Sequence, residues 1–534
     1  MRSLRFVFAG AILALSAACA PPEPLRLTIL HNNDVHSRLQ PVSAQNNTCS
    51  AQQLAQNQCF GGMARVAALI ERERAAAAAA GRQILVLDAG DQFQGSLFYS
   101  HYKGAAEAEV MNLMAYDAMA LGNHEFDDGP EVLARFLRTV RVPVLSANVN
   151  ADAEPALRGL YRSHVVLSRG GHRIAIIGAT TEDTPSIASP GPRVAFPRAE
   201  TVLNPLIARL RAEGVSHVVL LSHLGLARDR EVAAAVDGID VVVGGHSHTL
   251  LSNTAQGAEG PYPVRVRGPS GREVPIVQAM AFTRFVGRLD VDFDATGNVI
   301  RAEGDTIPVV QSIAPNAAIQ AAIDRLDAPL VEVRARPVGV TSAEFPLEGC
   351  RARECALGNL VAESMLAATR QAGAQIALQN GGGLRAGIPA GNVTLGHVLT
   401  TLPFQNAVAT LKLRGRDFVA ALESGLSQVE QGAGRFPQVA GVRYTWDRAR
   451  PAGARVISVE LRRPDGGYGP LDPDAIYTIA TNDFMRRGGD GYTVLRDRAI
   501  DPYDFGPGLD DALAEYIRTN NPVRIGLDGR IVTR

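Results

Sequence analysis

The chain carries almost no excess of charge: 53 Lys and Arg stand against 54 Asp and Glu, a net charge of −1 over 534 residues. That balance excludes the broad basic face on which proteins hold a nucleic-acid polymer. Any anionic small molecule must therefore be gripped by local charge. Beyond the first twenty residues no apolar run is long enough to cross a bilayer as a helix. Cysteine is scarce, five in all. No internal repeat and no low-complexity tract beyond the alanines at 75–80 is evident. What remains is a soluble globular balance, 46% hydrophobic and 20% charged. The length exceeds one ordinary core and points to two domains.

The first residues read as a targeting segment. Arg2 and Arg5 precede an apolar run at 6–15, which ends in Ser16-Ala17-Ala18-Cys19. This is a secretory signal with small residues before a cysteine. It resembles a lipoprotein signal, in which residues 1–18 are removed and Cys19 becomes the lipid-bearing N-terminus; an ordinary cleaved signal is the alternative. The protein is then exported to a periplasmic or cell-envelope location, and its only link to the membrane is the lipid anchor. Four cysteines remain, in two close pairs. In an oxidising compartment they read as local disulfides, Cys49–Cys59 and Cys350–Cys355. A four-cysteine zinc site is the alternative, disfavoured by the wide gap between the pairs.

Taken in order, the chain alternates apolar strands with ligand-bearing loops and helices. Strands are expected at 25–30, 84–87, 118–121, 142–147, 173–178, 217–221 and 239–243. Helices are expected at 61–80, in the stretch before Met114, and at 201–213. The strand exits carry Asp34-x-His36, Asp91, Asn123-His124, Ser222-His223 and His246-Ser247-His248. Asp34 and His36 are expected on one side of an extended segment, since side chains repeat every second residue. Asp127, three residues after His124, can return to the imidazole and fix its tautomer. In α/β sheets functional groups gather at such exits. Residues 316–338 read as mainly helical, either a connector between domains or the last helix of the first.

The strand-exit set is imidazole, carboxylate and one amide, without thiolate. That suits Zn, Mn or similar divalent ions and is too large for one tetrahedral ion. Two ions joined by a carboxylate fit better, an arrangement that serves phosphoryl transfer to water.

These motifs, in this order, resemble those of the calcineurin-like metallophosphoesterases. Together with Arg351, Asn380-Gly381-Gly382-Gly383-Leu384-Arg385, Pro403-Phe404-Gln405-Asn406 and the stretch from Phe484 to Tyr492, they resemble the exported 5′-nucleotidase and UDP-sugar hydrolase family over nearly the whole mature chain. The resemblance implies a four-layer α/β/β/α metallophosphoesterase domain at 25–313, a connecting helix at 314–339, and a second α/β substrate-binding domain at 340–534. It implies that Asp34, His36 and His248 hold one metal and Asn123, His223 and His246 the second, with Asp91 bridging. His124 would act on the transferring phosphoryl group, oriented by Asp127, either stabilising its charge or helping the leaving oxygen. Arg351 and Arg385 would contact the charged end of a nucleotide, together with Asn380. Phe404 and Phe484 would sandwich the base, and Asp490 would bond the ribose hydroxyls. The Cys350–Cys355 pair matches a family disulfide. Arg486 and Arg487 stand where smaller or neutral residues are usual, which bears on the charge of the pocket rim. The expected reaction is phosphate release from 5′-nucleotides, with nucleotide sugars as further substrates. The rival readings are a 2′,3′-cyclic-nucleotide phosphodiesterase with 3′-nucleotidase activity and a non-catalytic nucleotide-binding protein.

Overall fold

The computed structural model describes residues 24–534 apart from 45, 47, 50, 405, 464 and 505. The signal segment and Cys19 lie outside the described residues, as does Gln405. In chain order the strands of the first half are β1 Arg26–Asn32, β2 Gln83–Asp88, β3 Ala118–Ala120, β4 Val144–Leu145, β5 His164–Arg169, β6 His172–Thr180, β7 His217–His223, β8 Val241–Val243, β9 Val264–Arg267, β10 Glu273–Val277, β11 Phe285–Phe293 and β12 Val299–Pro308. They form two six-stranded sheets, ordered β12-β11-β1-β2-β3-β4 and β5-β6-β7-β8-β10-β9.

The period of two along each strand builds the layers. In β1, Leu27 and Ile29 enter the core between the sheets, where they meet Leu85, Leu87, Ile176, Val219 and Leu221. The alternate residues Leu30, Val86 and Met119 face outward onto helices, packing with Val66, Leu69 and Met111. The second sheet is covered by the helices Ala199–Ala212 and Leu226–Ala235, whose Leu203, Ile207 and Val232 belong to the same continuous apolar cluster. The result is helix, sheet, sheet, helix. Such buried parallel strands are near-continuously apolar, which is why they were readable.

Three expected elements differ. The strand at 142–147 is only Val144–Leu145, because the chain then leaves β3: the Ser146 N–H bonds Arg162 and the Ala147 N–H bonds Gly178 of the other sheet. The helical stretch before Met114 is two helices, Leu97–Tyr102 and Ala105–Met114, parted by left-handed Lys103 and Gly104. The region at 316–338 is mainly helical as expected but broken: the helix Ala317–Asp327, a 3-10 turn Ala328–Leu330 holding Pro329, a short helix Val331–Ala335, and a strand that begins at Pro337. Asn316 caps this helix by accepting the N–H groups of Ala318 and Ile319. Its Ile319, Ile323 and Leu326, with Leu330 of the following turn, are buried in the same cluster as Met63 and Met111, so it packs as part of the first half.

The second half carries a five-stranded sheet ordered Pro437–Ala440, Ile376–Asn380, Ile476–Asn482, Val408–Arg414, Ile500–Tyr503, flanked by two apolar clusters. Both disulfides, Cys49–Cys59 and Cys350–Cys355, are formed. Among the described residues no helix is long and apolar enough to cross a membrane.

One buried base makes the first half acid-sensitive. His31 is fully buried, its Nε2 lies 2.8 Å from the Tyr262 hydroxyl, and burial lowers its pKa to about 3. The unfolded chain binds this proton below its ordinary pKa of 6.5 while the folded chain does not. The stabilisation is therefore complete above that value and drains as pH falls toward 3. The melting temperature of the wild type should fall more steeply than that of His31→Gln between pH 6.5 and 4, a window that lies inside the interval between the two pKa values. Parallel slopes would sink this assignment.

Candidate active site

Strands β1, β2 and β3 are mutually parallel, as are β7 and β8 in the facing sheet. Parallel strands place their C-terminal ends on one edge, so five exit loops converge there. Asp34 and His36 do not lie along an extended segment. β1 stops at Asn32, and both residues are left-handed, with φ 52° and 49°. The turn exists because the β1 loop crosses that of β2: the Asp34 N–H bonds the Gly90 carbonyl at 2.9 Å and the His36 N–H bonds that of Asp91 at 2.9 Å. Asp91, His246 and His248 are left-handed as well. Non-glycine residues in this region persist only where surrounding contacts over-determine them, which is common at functional sites.

Three overlapping groups of ligand atoms result, one of them His36, Asp91 and His124; the other two match the expected pair of ion sites. In the first of that pair, Nε2 of His36 and Nε2 of His248 are 3.0 Å apart, and the latter is 3.3 Å from Asp34 Oδ1. In the second, Asp91, His223 and His246 bring ligand atoms together. Asp91 Oδ2 lies between them, 3.1 Å from His223 Nε2 and 3.7 Å from His36 Nε2. Ligands at right angles around an ion ~2.1 Å away sit about 3 Å apart, so these spacings fit divalent metals. One further atom fits the same purpose: Asn123 Oδ1 is buried and without a hydrogen-bond partner among the described residues. A buried polar atom without a partner is costly unless something meets it.

Electrostatics prepare the donors. Burial lowers His246 to about 3 and, with Arg385 adding, holds His36 well below its ordinary value, leaving neutral lone pairs. Burial opposes the charge on Asp91, but the imidazoles of His223 and His124 outweigh it and hold its pKa well below the usual carboxylate range. Burial likewise opposes protonation of His223, yet Asp91 and Asp34 push it up to about 10. His223 Nδ1 is 2.7 Å from the Ala89 carbonyl, so its outer nitrogen is already committed to the backbone.

His124 opens the 3-10 turn His124–Phe126, and that turn returns Asp127 to it: Nδ1 lies 2.6 Å from Asp127 Oδ2. Burial works against its charge, while Asp127 and Asp91 raise its pKa overall. The His124 N–H also donates to Asp91 Oδ1 at 2.9 Å. The close approach needs Gly122, whose added Cβ would stand 2.1 Å from that oxygen.

In the second half, Ile376–Asn380 and Ile476–Asn482 are parallel, and Val408–Arg414 is antiparallel to the latter with Val408 opposite Asn482. This topology puts Asn380, Phe484, Asp490 and Phe404 at one edge. Asn380 Nδ2 donates to Asp490 Oδ2 at 2.6 Å, and burial raises the Asp490 pKa. That edge meets the metal-type site. Arg385 Nη2 donates to His36 Nε2 at 3.0 Å, its guanidinium lies over Phe404, and the Phe404 ring stacks on His124 with centroids 5.7 Å apart. Arg351 and Arg385 line a cavity of about 310 Å³ with His248, Phe282, Leu347 and Leu384. Phe484 packs against Gly489. Arg486 is clamped on Asp504, and Arg487 lies 3.2 Å from Asp483, so neither arginine adds unpaired charge to the rim.

Two residues at the site had no assigned role in the sequence. Phe282 touches the rings of both His36 and His248, at 5.6 Å and 5.3 Å, from the loop after β10. Its setting, Ala281-Phe282-Thr283, reads as core, and nothing local marks it. Glu125 is fully buried beside Asp91. Its signal was its place inside the Gly122–Asp127 motif.

Known proteins agree with this architecture. Residues 27–250 match the calcineurin-like phosphoesterase family, and residues 337–497 match the 5′-nucleotidase C-terminal domain. The chain is 35% identical over 545 residues to the 5′-nucleotidase of Bos taurus, covering 97% of this chain and 93% of that one. The crystal structure of a 5′-nucleotidase precursor from Thermus thermophilus superposes with a TM-score of 0.89 at 41% identity, covering 95% of this chain and 99% of that one. The NAD nucleotidase of Haemophilus influenzae superposes at 0.57 with 27% identity, covering 96% and 99%. The two-domain fold, the convergent histidines and carboxylates, and these matches over nearly the full length lead to one conclusion: the chain belongs to the 5′-nucleotidase family of calcineurin-like phosphoesterases and is a nucleotide phosphohydrolase.

Proposed function

We propose that the enzyme releases phosphate from 5′-nucleotides with two divalent ions, one held by Asp34, His36 and His248, the other by Asn123, His223 and His246, with Asp91 shared. The single observation that carries this is the pair of ligand groups, Asp34–His36–His248 and Asp91–His223–His246, with Asn123 Oδ1 buried and without a hydrogen-bond partner among the described residues. When bound, such ions lower the pKa of water and neutralise charge on a phosphoryl group.

The residues of the chain supply the rest. Arg351 and Arg385 orient the phosphate oxygens from the far side of the cleft, a task suited to a planar guanidinium. Asn380 and Asp490, already bonded to each other, face the ribose. Phe404 and Phe484 offer flat surfaces for any base. His124, held by Asp127, either stabilises charge on the transferring group or protonates the departing nucleoside oxygen. Water attacks phosphorus in line, the bond to the nucleoside oxygen breaks, and that oxygen ends protonated. The working boundaries are 25–313 for the metal-binding domain, 314–339 for the connector and 340–534 for the substrate-binding domain, with Cys19 as a lipid anchor on the exported chain.

A second substrate class is favoured by the 310 Å³ cavity beside His248 and Arg351. Neither Phe404 nor Phe484 lines it, so it gives room to a group other than the base, attached beyond the reacting phosphate, as in a nucleotide sugar. Purified mature enzyme should release phosphate from AMP, and sugar phosphate from UDP-glucose, both lost with chelator and restored by Mn²⁺ or Zn²⁺. Turnover of 2′,3′-cyclic AMP alone would keep the metal reading and overturn the base assignment. Binding of AMP without any turnover, across several metals, would make the chain a nucleotide-binding protein.

A further inference from the structure

Glu125 has no part in the chemistry above, yet its carboxylate accepts four backbone N–H groups. Oε2 takes those of Gly122 at 2.7 Å and Asp91 at 3.1 Å; Oε1 takes those of Gln92 at 2.7 Å and Phe93 at 3.2 Å. Three donors belong to the loop leaving β2, and one to the loop leaving β3, which carries Glu125 itself. The link runs both ways, since the His124 N–H returns to Asp91 Oδ1 at 2.9 Å. Asp91 is left-handed, with φ 60°, and Gly122 has no room for a side chain against it. A conformation of this kind needs contacts that leave it no alternative. Glu125 supplies them at the Asp91 amide and the two amides that follow.

The two loops carry Asp91 and Asn123, one on each side of this stitch. Without it, the hydrogen bond that remains between the two loops among the described residues is that of the His124 amide to Asp91. Buried carboxylates with full hydrogen bonding fix local geometry, whereas a partly satisfied one is costly.

We propose that Glu125 is a positioning residue that sets the separation of Asp91 from Asn123, and so the geometry of the ion held by Asn123, His223 and His246. The proposal rests on the two-ion reading given above. It extends that reading to a group that touches neither ion nor substrate. Glu125→Gln keeps the shape but turns an NH₂ group toward backbone N–H donors, so at least two of the four bonds are lost. Glu125→Asp keeps the charge on a shorter arm, which reaches one loop well and the other poorly.

The test uses the full mature enzyme and three readouts. The first is amide hydrogen exchange at 91–93 and 122. The second is a Mn²⁺ binding isotherm, with His246→Ala as the reference in which the Asn123-side ion is removed. The third is kcat and KM for AMP. Outer-shell partners of metal sites are typically worth about 10- to 100-fold in affinity or activity. Glu125→Gln should therefore weaken the step missing in His246→Ala by about 10- to 100-fold and speed exchange at 91–93. The other step should move by less than about 3-fold, and kcat should fall with KM unchanged, because the nucleotide contacts lie in the second half. Glu125→Asp should be intermediate on all three, and it carries the same comparison if the Gln variant does not fold. Unchanged exchange and an unchanged isotherm overturn the proposal. Equal weakening of both steps with a raised KM also overturns it, showing a general structural role. Wild-type enzyme that binds no Mn²⁺ overturns the two-ion reading and this proposal together, whereas normal wild-type binding with an unaffected variant overturns the proposal alone.

Discussion

His124→Ala is expected to lower kcat for AMP by about 10²- to 10⁴-fold, the range of a positioned acid–base or charge-stabilising group. KM should change little, because the imidazole is held from the metal-binding half while Arg351, Asn380 and Asp490 lie in the other. Asp127→Asn leaves the ring in place but removes the carboxylate at 2.6 Å that raises its pKa and fixes its tautomer, so a smaller loss of about 10- to 100-fold is expected. The leaving group separates the two roles left open for His124. An aryl phosphate, whose phenolate departs without a proton, should be nearly indifferent to His124→Ala if the imidazole protonates the nucleoside oxygen. It should suffer as much as AMP if the imidazole stabilises charge. A kcat for AMP within about 3-fold of wild type would remove His124 from the mechanism.

Asp91→Asn should be at least as damaging. Its Oδ2 lies 3.1 Å from His223 Nε2 and 3.7 Å from His36 Nε2, so its charge serves both clusters. Asp34 Oδ1 also lies near both histidines, but farther from each, at 4.0 and 3.9 Å, the far limit of an ion pair. The asparagine keeps the volume and loses that charge, and the imidazoles that Asp91 and Asp34 hold together then repel one another when protonated. Loss of turnover should exceed the ~100-fold typical of an outer-shell partner, and bound Mn²⁺ should fall below the wild-type stoichiometry. Full occupancy with near-normal kcat would show that Asp91 is not shared between ions.

How much was legible beforehand follows from the kind of signal each residue gives. Buried parallel strands announce themselves as short apolar runs, so β1, β2, β7 and β8 appeared within a few residues of where the sequence put them. Their exits carried Asp34, Asp91, His223 and His246 because parallel strands share one functional edge, and that rule needs no coordinates. The local conformation at those exits was not legible. Left-handed Asp34 and His36 follow from the crossing of two loops far apart in sequence, and an every-second-residue rule has no knowledge of such a crossing. Phe282 escaped for a related reason: it looks like core until the histidines it touches are in view. Val144–Leu145 came out short because the chain changes sheets at Ala147, a tertiary event. The paired state of Arg486 and Arg487 depended on Asp504 and Asp483, one of them distant in sequence. Propensity and periodicity report on single elements, and these misses all lie where two elements meet.

The Arg385 contact with His36 separates authorship of the site. Every side chain proposed to bind metal comes from the strand exits of the first half, and Arg351, Asn380, Arg385, Phe404, Phe484 and Asp490, proposed to hold the nucleotide, all come from the second. The enzyme in this sense divides hydrolysis and recognition between its two halves. Grafting another second half onto the same first half, with an arginine retained where Arg385 meets His36, should redirect the chemistry to a new phosphorylated compound without rebuilding the hydrolytic centre. Selection for new substrates in this lineage would then be recorded in the residues after 337, while those before 250 stay under a single chemical constraint.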